Sequence, residues 1–222
     1  MLTISSAVEQ VVATSDFAIE GLQSGCLNMT AYAEQICDEI AKLTKKPVQK
    51  TSIVMALTRL GKKYRGQLPE TQNFKLFNLV SRSDLTELTY PKTPRLQRDV
   101  AKLYERADIQ SAPFCVATVG LGEISIVTDN NLAQSIQSEL SAHTPSLNLS
   151  GLSSLTMQVG IETIDTPRQS YTVIKQLALR NITIVEYITS PTELTIILYN
   201  RDLKESFVIL HDKFFRQQDV SL

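Results

Sequence analysis

The stretch Asn148-Leu149-Ser150-Gly151-Leu152-Ser153-Ser154-Leu155-Thr156 repeats the pattern Asn-Leu-x-x-x-Ser-x-Leu-Thr of Asn78-Leu79-Val80-Ser81-Arg82-Ser83-Asp84-Leu85-Thr86. Glu193-Leu194-Thr195-Ile196-Ile197 follows Glu123-Ile124-Ser125-Ile126-Val127 at the same spacing, and Thr166-Pro167-Arg168 follows Thr93-Pro94-Arg95 at a spacing three positions longer. The spacing between the copies thus increases by three residues at the second match and returns to its first value at the third. Matches that keep their order and recover their spacing in this way indicate an internal duplication. We therefore predict two copies of one small unit, the second with a first strand and loop three residues longer.

Each copy has the apolar patterning of a βαββαβ unit. Alternating or continuous apolar runs predict strands, and periodic apolar faces predict helices. The first copy contains strand 85–90, helix 94–107, strands 114–119 and 124–127, helix 132–140 and strand 147–149; the second contains strand 155–161, helix 167–179, strands 182–188 and 194–198, and helix 203–215. Right-handed crossovers place both helices of such a ferredoxin-like unit on one face of an antiparallel sheet.

The second copy lacks apolar sequence for a fourth strand after residue 215. The strand-like residues 74–80 precede the first copy at the repeat position that 147–150 holds before the second. If 147–150 closes the first sheet, 74–80 can close the second, after a turn at 82–84. The predicted fold is α+β, with two interlocked ferredoxin-like units, the first inserted in the second.

The residues before the repeat have helical patterns. Ser6 and Glu9 have capping-box spacing at the start of a first helix. Apolar residues at helical spacing from residue 28, and again from residue 53, predict two longer helices on either side of Lys45-Lys46-Pro47. We predict an all-α, helix-turn-helix-like domain at 1–66, a linker at 67–73, a first unit at 74–150 and a second at 151–222.

Charge is unevenly distributed in this chain, although its net value is only −1. Residues 42–65 carry eight basic and no acidic residues, which leaves a net charge of −9 on the rest. A helix-turn-helix domain presents such a basic helix to a DNA groove. The predicted nucleic-acid contacts are Lys50, Ser52, Arg59, Lys62 and Lys63. A solvated basic face that docks on another protein explains the same pattern.

Several classes of protein and site are disfavoured. No apolar run reaches the roughly 20 residues of a membrane span, and the first residues lack signal-peptide character, so we expect a soluble, cytoplasmic protein. The three cysteines and two histidines show no metal-ligand spacing, and we interpret the cysteines as small core residues. We find no P-loop or nucleophile–base pattern, and therefore predict no catalytic residues, no metal and no cofactor.

Ser190-Pro191-Thr192-Glu193-Leu194-Thr195-Ile196-Ile197, followed by a helix that opens at Asp202-Leu203, resembles the paired ACT domains of aspartate kinases. That family also has one ACT unit inserted in the other. Segments 27–33 and 53–60 resemble the helical domain that precedes ACT repeats in small prokaryotic proteins. The resemblance implies a regulatory protein without the kinase domain.

By this resemblance, amino acids bind at the loop between the first strand and the first helix of each unit. The implied ligand contacts are Lys92, Thr93 and Arg95 in one loop and Asp165, Thr166 and Arg168 in the other. Amide groups at a helix N-terminus can hold a carboxylate, and a carboxylate such as that of Asp165 can accept an ammonium group. ACT loops usually have glycine after the proline, where this chain has arginine, which either clamps a carboxylate or fills the pocket. Thr-Pro-Arg also fits a plain helix N-cap.

Two functions remain open at this point. In the first, an amino acid shifts the ACT pair, which repositions the N-terminal domain on DNA and so regulates transcription. In the second, the pair is an interaction and oligomerisation module, or a free-standing regulatory subunit of an amino-acid-biosynthesis enzyme, without DNA binding. Either way we expect a homodimer, the commonest symmetric assembly.

Overall fold

A computed structural model of the chain describes residues 2–65, 76–165 and 169–215. The chain divides into two units, Met1–Asn73 and Phe74–Leu222. The expected linker at 67–73 lies outside the described residues, as do the first two residues of the expected strand 74–80 and the tripeptide Thr166-Pro167-Arg168.

Amphipathic helices build the N-terminal unit: α1 (Ile4–Ala13), α2 (Asp16–Ser24), α3 (Met29–Thr44) and α4 (Lys50–Tyr64). Their apolar faces meet in one core that includes Leu22, Ile36, Ile40, Ile53 and Leu57. Helix α3 ends at Lys45, which adopts a left-handed conformation (φ 54°) and turns the chain towards α4. The described residues 2–65 of this unit therefore form helices and no strand, in agreement with the predicted helical patterns.

The cap of α1 differs from the expected Ser6–Glu9 capping box. Thr3 is the N-cap, and its hydroxyl accepts a hydrogen bond from the Ser6 amide at 3.1 Å. The extended backbone of Thr3 (ψ 157°) allows its side chain to reach the first-turn amide, so the helix starts before Ser6.

The second unit alternates strands and helices in the predicted order. Its elements are β1 (Leu76–Pro91), α5 (Pro94–Leu103), α6 (Ala107–Gln110), β2 (Cys115–Val119), β3 (Glu123–Asp129), α7 (Asn130–Glu139), β4 (Leu147–Val159), α8 (Gln169–Ala178), β5 (Ile184–Ser190), β6 (Glu193–Tyr199) and α9 (Leu203–Phe214). Short 3₁₀ helices occupy Ile161–Asp165 and Asn200–Asp202. The strands form one antiparallel sheet in the order β2-β3-β1-β4-β6-β5.

Two long strands replace the shorter strands that the sequence predicts. The expected turn at 82–84 is wrong, because β1 runs through it with an irregularity at Asp84 (φ 60°). Strand β4 likewise runs through Gly151 (φ 74°). Leu76 pairs with Val159 and Thr89 pairs with Leu147, so each strand stays hydrogen-bonded to the other across most of its length. The first part of β1 therefore lies beside the second part of β4.

The register refines where the two copies differ. Strands β3 and β6 match at the repeat spacing found in the sequence and share one burial pattern. Asp129 of β3 pairs with Leu85. The residue of β6 that corresponds to Asp129 is Tyr199, and Tyr199 pairs with Leu152. The sequence repeat instead aligns Leu85 with Leu155, three residues further along the chain. The expected lengthening of the second copy's strand is thus wrong, and the extra residues lie in the loop after β4, which contains a 3₁₀ helix.

Each half of the sheet has a helix-covered face with its own core. Leu88, Tyr90, Leu96, Ile124 and Ile136 belong to the core of the first half. Leu76, Leu155, Met157, Val173, Ile196 and Leu210 belong to the core of the second. On the other, inner face, Leu85, Val127, Leu152 and Ile197 form a third cluster that joins the two halves. The sheet therefore curls so that its two inner faces approach each other.

Two further expectations are wrong in detail. Helix α5 stops at Leu103 instead of residue 107, because Arg106 is extended (ψ 133°) and its guanidinium binds Asp108 and Glu139. Cys26 is exposed, so it is not a core residue, whereas Cys37 and Cys115 are half-buried. No helix within the described parts of the chain has the length and apolarity to cross a bilayer.

Candidate functional site

The loop before α5 is held by its own polar groups. Thr93 caps the helix, with its Oγ1 accepting from the Leu96 amide at 3.0 Å. Lys92 donates through Nζ to the Gly120 carbonyl at 2.8 Å and through its backbone amide to the Gly122 carbonyl at 2.9 Å. These bonds tie the loop to the turn between β2 and β3.

Arg95 extends from the first turn of α5 into solvent. Its side chain is 69% exposed, and its Nε lies 3.9 Å from Oδ2 of Asp99. His143 Nε2 lies 2.9 Å from the same oxygen. This hydrogen bond, assisted by nearby Lys102 and Arg95, lowers the pKa of Asp99. Arg95 is therefore near a carboxylate but accessible to another anion.

The loop before α8 supplies one described candidate, Asp165. It is exposed at the end of the 3₁₀ helix Ile161–Asp165. Thr166 and Arg168 lie outside the described residues. The two candidate loops follow the C-terminal ends of β1 and β4, which are antiparallel. The fold therefore places Lys92, Thr93 and Arg95 together, at the opposite end of this strand pair from Asp165.

The basic face of α4 is partly neutralised within its own unit. The Lys50 ammonium binds the Glu34 carboxylate of α3, and the Lys63 ammonium binds Glu9 of α1 at 2.8 Å. These pairs raise the pKa of both lysines and lower that of Glu34. Arg59 and Lys62 are exposed, and Ser52 is half-buried. With exposed Met55, these last three residues form one continuous stripe along the helix.

A buried carboxyl pair lies between the inner faces of the sheet. Glu87 of β1 is only 4% exposed; its Oε1 accepts from the Thr89 hydroxyl at 3.0 Å, and its Oε2 has no donor among the described protein groups. Glu186 of β5 reaches both Glu87 and the Ser125 hydroxyl. Burial, and then the neighbouring Glu87 carboxyl, raise the pKa of Glu186 to about 7. A proton on Glu186 supplies the donor that Glu87 Oε2 lacks.

A cleft of about 520 Å³ opens on the inner face of the second half. Its walls are formed by residues of β1, β4, β6 and β5 on one side and by the segment 112–116 on the other. The hydroxyls of Thr156 and Thr195 lie 2.9 Å apart on its floor. Arg82 lines it on one side of this pair along the strands, and Glu193 lines it on the other. The cleft thus has both polar and apolar walls, with opposite charges at its two ends.

Metal chemistry has no support in the described residues. No group of three or more His, Cys, Asp or Glu side chains among them is placed to bind a metal ion.

Comparison by sequence finds no relatives: no protein-family model matches the chain, and no curated protein aligns significantly with it. Comparison of structures finds aspartate kinases. The regulatory subunit of aspartate kinase from Thermus thermophilus matches 63% of this chain over 99% of its own length, with 14% identity and a TM-score of 0.51. The second unit has the fold of these regulatory domains.

Whole aspartate kinases show the same likeness over part of their length. Aspartokinase III of E. coli, in complex with aspartate and ADP, matches 64% of this chain with 20% identity and a TM-score of 0.52. The Clostridium acetobutylicum enzyme matches 63% with 11% identity and a TM-score of 0.51. The chain spans only 34% and 35% of these two enzymes. At such identities the likeness shows the ACT-type fold alone.

The inner-face residues of this ACT-type fold are the candidates that sequence reasoning missed. Glu87 and Glu186 lie in different copies of the repeat, far apart in the chain, and Arg82 lies in a segment that the pattern assigns to a turn. The one usable signal is the run of polar residues that alternates with core residues, as in Glu193-Leu194-Thr195-Ile196. This pattern predicts that one face of the strand is polar, but it does not predict which residues that face contacts.

Proposed function

We propose that this chain is a non-catalytic regulatory protein whose second unit senses an amino acid. One observation carries the proposal: this unit has the fold of the regulatory subunit of an aspartate kinase and matches it over nearly that subunit's whole length. We further propose that the two copies interlock, with the strand at 74–80, described from residue 76, closing the second copy. The pairing of this segment with β4 and the packing of Leu76 with Leu155 and Met157 support that arrangement.

The loops before α5 and α8 are the proposed ligand contacts of this function. In the first, the α5 N-terminus and Arg95 hold a carboxylate, while Lys92 and Thr93 keep the loop in place. In the second, Asp165 accepts an ammonium group next to Thr166 and Arg168. Arg95 supports the first assignment because its guanidinium is largely exposed.

Thermal denaturation with each of the twenty amino acids tests the proposal. A ligand that binds only the folded state must raise the melting midpoint. We expect one amino acid or a small related group to do so, and Arg95→Ala to reduce the rise. Arg201→Ala serves as the control, because Arg201 is also exposed but lies outside both loops. No rise with any amino acid would refute the sensing function.

DNA binding by the N-terminal unit is a second candidate. The observation that favours it is the stripe of half-buried Ser52 and exposed Met55, Arg59 and Lys62 on α4. The contacts of Lys50 and Lys63 with DNA would compete with Glu34 and Glu9.

Fluorescence polarisation with mixed genomic DNA fragments tests this candidate. We expect binding that weakens steeply with salt, and a loss of at least tenfold in the double variant Arg59→Glu/Lys62→Glu, on the order of 1.4 kcal/mol. The double variant Lys204→Glu/Lys213→Glu on α9 makes the same charge change outside the unit. No binding at low salt would eliminate DNA as the partner.

Self-assembly into a homodimer is compatible with either candidate. Strands β2 and β5 are the two edges of the sheet, and Val119 and Leu121 at the end of β2 are exposed. Such edges pair readily with another strand. Sedimentation equilibrium measures the oligomeric state, and a monomer at all concentrations would refute the homodimer.

A further inference from the structure

The duplication allows the open cleft to be compared with its own counterpart in the same chain. The hydroxyl pair Thr156–Thr195 on the cleft floor corresponds to Thr89–Ser125 in the first half, whose hydroxyls lie 2.8 Å apart. Both pairs occupy the same positions on matching strands. The side chains that face the two hydroxyl pairs from the opposite half of the sheet differ.

In the first half a carboxyl group covers the hydroxyl pair. Glu186 extends from β5 to this pair, where its carboxyl group lies close to the Ser125 hydroxyl. By register, the residue corresponding to Glu186 in the second half is Val116, because Glu186 pairs with Ile197 and Val116 pairs with Val127. Val116 lines the cleft. A shorter, apolar side chain thus stands where the first half has a carboxylic acid.

The second member of the carboxyl pair is also replaced. Glu87 pairs with Val127, and the matching partner of Ile197 is Ser154. The Ser154 hydroxyl is buried and has no hydrogen-bond partner among the described residues. Two glutamates in one half therefore become a serine and a valine in the other. At these two positions no carboxyl group faces the second hydroxyl pair, and the cleft opens there.

The cleft differs from its counterpart in charge as well. Arg82 and Glu193 both line it, and neither forms a salt bridge with another described residue. Along the strands, Thr156 pairs with Val80, two residues from Arg82, and Thr195 is two residues from Glu193. Each charged residue is thus roughly 7 Å along the strand from the hydroxyl pair.

We propose that this cleft binds a small molecule through a carboxylate, which occupies the position that Glu186 holds in the first half. The carboxylate accepts a hydrogen bond from the free O–H of the Thr156–Thr195 pair and faces the Arg82 guanidinium. Glu193 at the other end selects a ligand that also carries an ammonium group. The cavity volume falls in the range of roughly 300–1,000 Å³ that small-molecule sites occupy. The identification of the ligand as an amino acid rests on the proposed function. The binding site is different, because it lies in the cleft and not in the loops before α5 and α8.

The test combines a ligand panel with matched variants of the full chain. The panel contains the twenty amino acids, and propionate and succinate as carboxylates without an ammonium group. Binding is read from the melting midpoint and from amide chemical shifts of residues 154–158 and 193–195. Arg82→Gln removes the cation, and Thr195→Val removes one hydroxyl; we expect each to weaken binding about tenfold.

Val116→Glu is the sharpest variant, because it copies Glu186 into the cleft. The new carboxyl group occupies the ligand's place, so binding is abolished. Ser125→Ala removes the corresponding hydroxyl in the filled half and leaves binding unchanged. Circular dichroism verifies folding, and Arg82→Gln keeps the test valid if Val116→Glu does not fold, since Arg82 is exposed.

The outcomes separate this inference from the proposed function. If an amino acid binds equally well to wild type, Arg82→Gln and Val116→Glu but not to Arg95→Ala, the binding site in the cleft is refuted and the amino-acid-sensing function is supported. If only propionate or succinate binds, and Arg82→Gln weakens it, the cleft stands and amino-acid sensing fails. If no compound binds at all, both are overturned.

Discussion

The carboxyl groups of Glu87 and Glu186 lie within hydrogen-bonding reach of each other, although two strands separate β1 from β5 in the sheet. The curl of the sheet brings them together on its inner face. Because Glu87 is almost fully buried, two negative charges at this place are costly. The pair is therefore stable with one proton.

Stability should depend on pH through Glu186. Its pKa is about 7 in the folded state, against an ordinary 4.5, so the folded protein binds more protons than the unfolded chain between these values. The contribution of this group to stability is then fully present below about pH 4.5 and is lost as pH rises through this window. Allowing for solvent screening, we expect a loss of roughly 1–2 kcal/mol from this group, measured by urea unfolding at several pH values.

Glu186→Gln should remove this dependence and raise stability at pH 8, because an amide can donate to Glu87 without carrying charge. Glu105→Gln changes an exposed acid and serves as the control. A Glu186→Gln protein with the same slope as wild type between pH 5 and 7 would show that the pair is not protonated in this way.

Leu76 should contribute to the core of the second half. It is 3% exposed and packs in the cluster that contains Leu155, Met157 and Val173. We expect Leu76→Ala to lower the free energy of unfolding by about 2–3 kcal/mol. The neighbouring Phe77 is 65% exposed, so Phe77→Ala should cost less than about 0.5 kcal/mol. Equal effects in denaturant titrations would show that β1 does not pack as described.

Gly151 should resist substitution for a backbone reason alone. Its φ of +74° is unfavourable for other residues, yet an added Cβ would meet no atom within 4 Å. We therefore expect Gly151→Ala to cost about 1–2 kcal/mol. An added Cβ at Gly122 also meets nothing, and its φ is not positive, so Gly122→Ala should be neutral or slightly stabilising. Thermal unfolding of both variants compares the two costs directly.

Tyr90 carries a buried hydroxyl without a partner. The side chain is fully buried, its Oη has no hydrogen bond to any described group, and burial raises its pKa. Tyr90→Phe should therefore leave stability unchanged or raise it by up to about 1 kcal/mol. A loss larger than this in urea unfolding would indicate that the hydroxyl binds a group such as an internal water.

The sequence by itself determined the duplication, the all-helical character of the first unit and the order of strands and helices in the second. The duplication is visible because the same residue pattern occurs twice, and the helices and strands follow from apolar periodicity, which is a local property: Leu96, Val100 and Leu103 form one face of α5 wherever the helix lies. The cap of α1 was predicted wrongly, because Ser6 and Glu9 have capping-box spacing but the backbone conformation makes Thr3 the N-cap.

Tertiary structure alone decided what the inner face of the sheet contains. Residues 82–84 read as a turn in isolation, but the partner strand β4 keeps them in β1 by satisfying their backbone groups. The approach of Glu186 to Glu87, and the cleft that takes its place between Val116 and the Thr156–Thr195 pair, depend on how far the sheet curls. Curl and register arise from packing between residues far apart in the chain, which local periodicity does not encode.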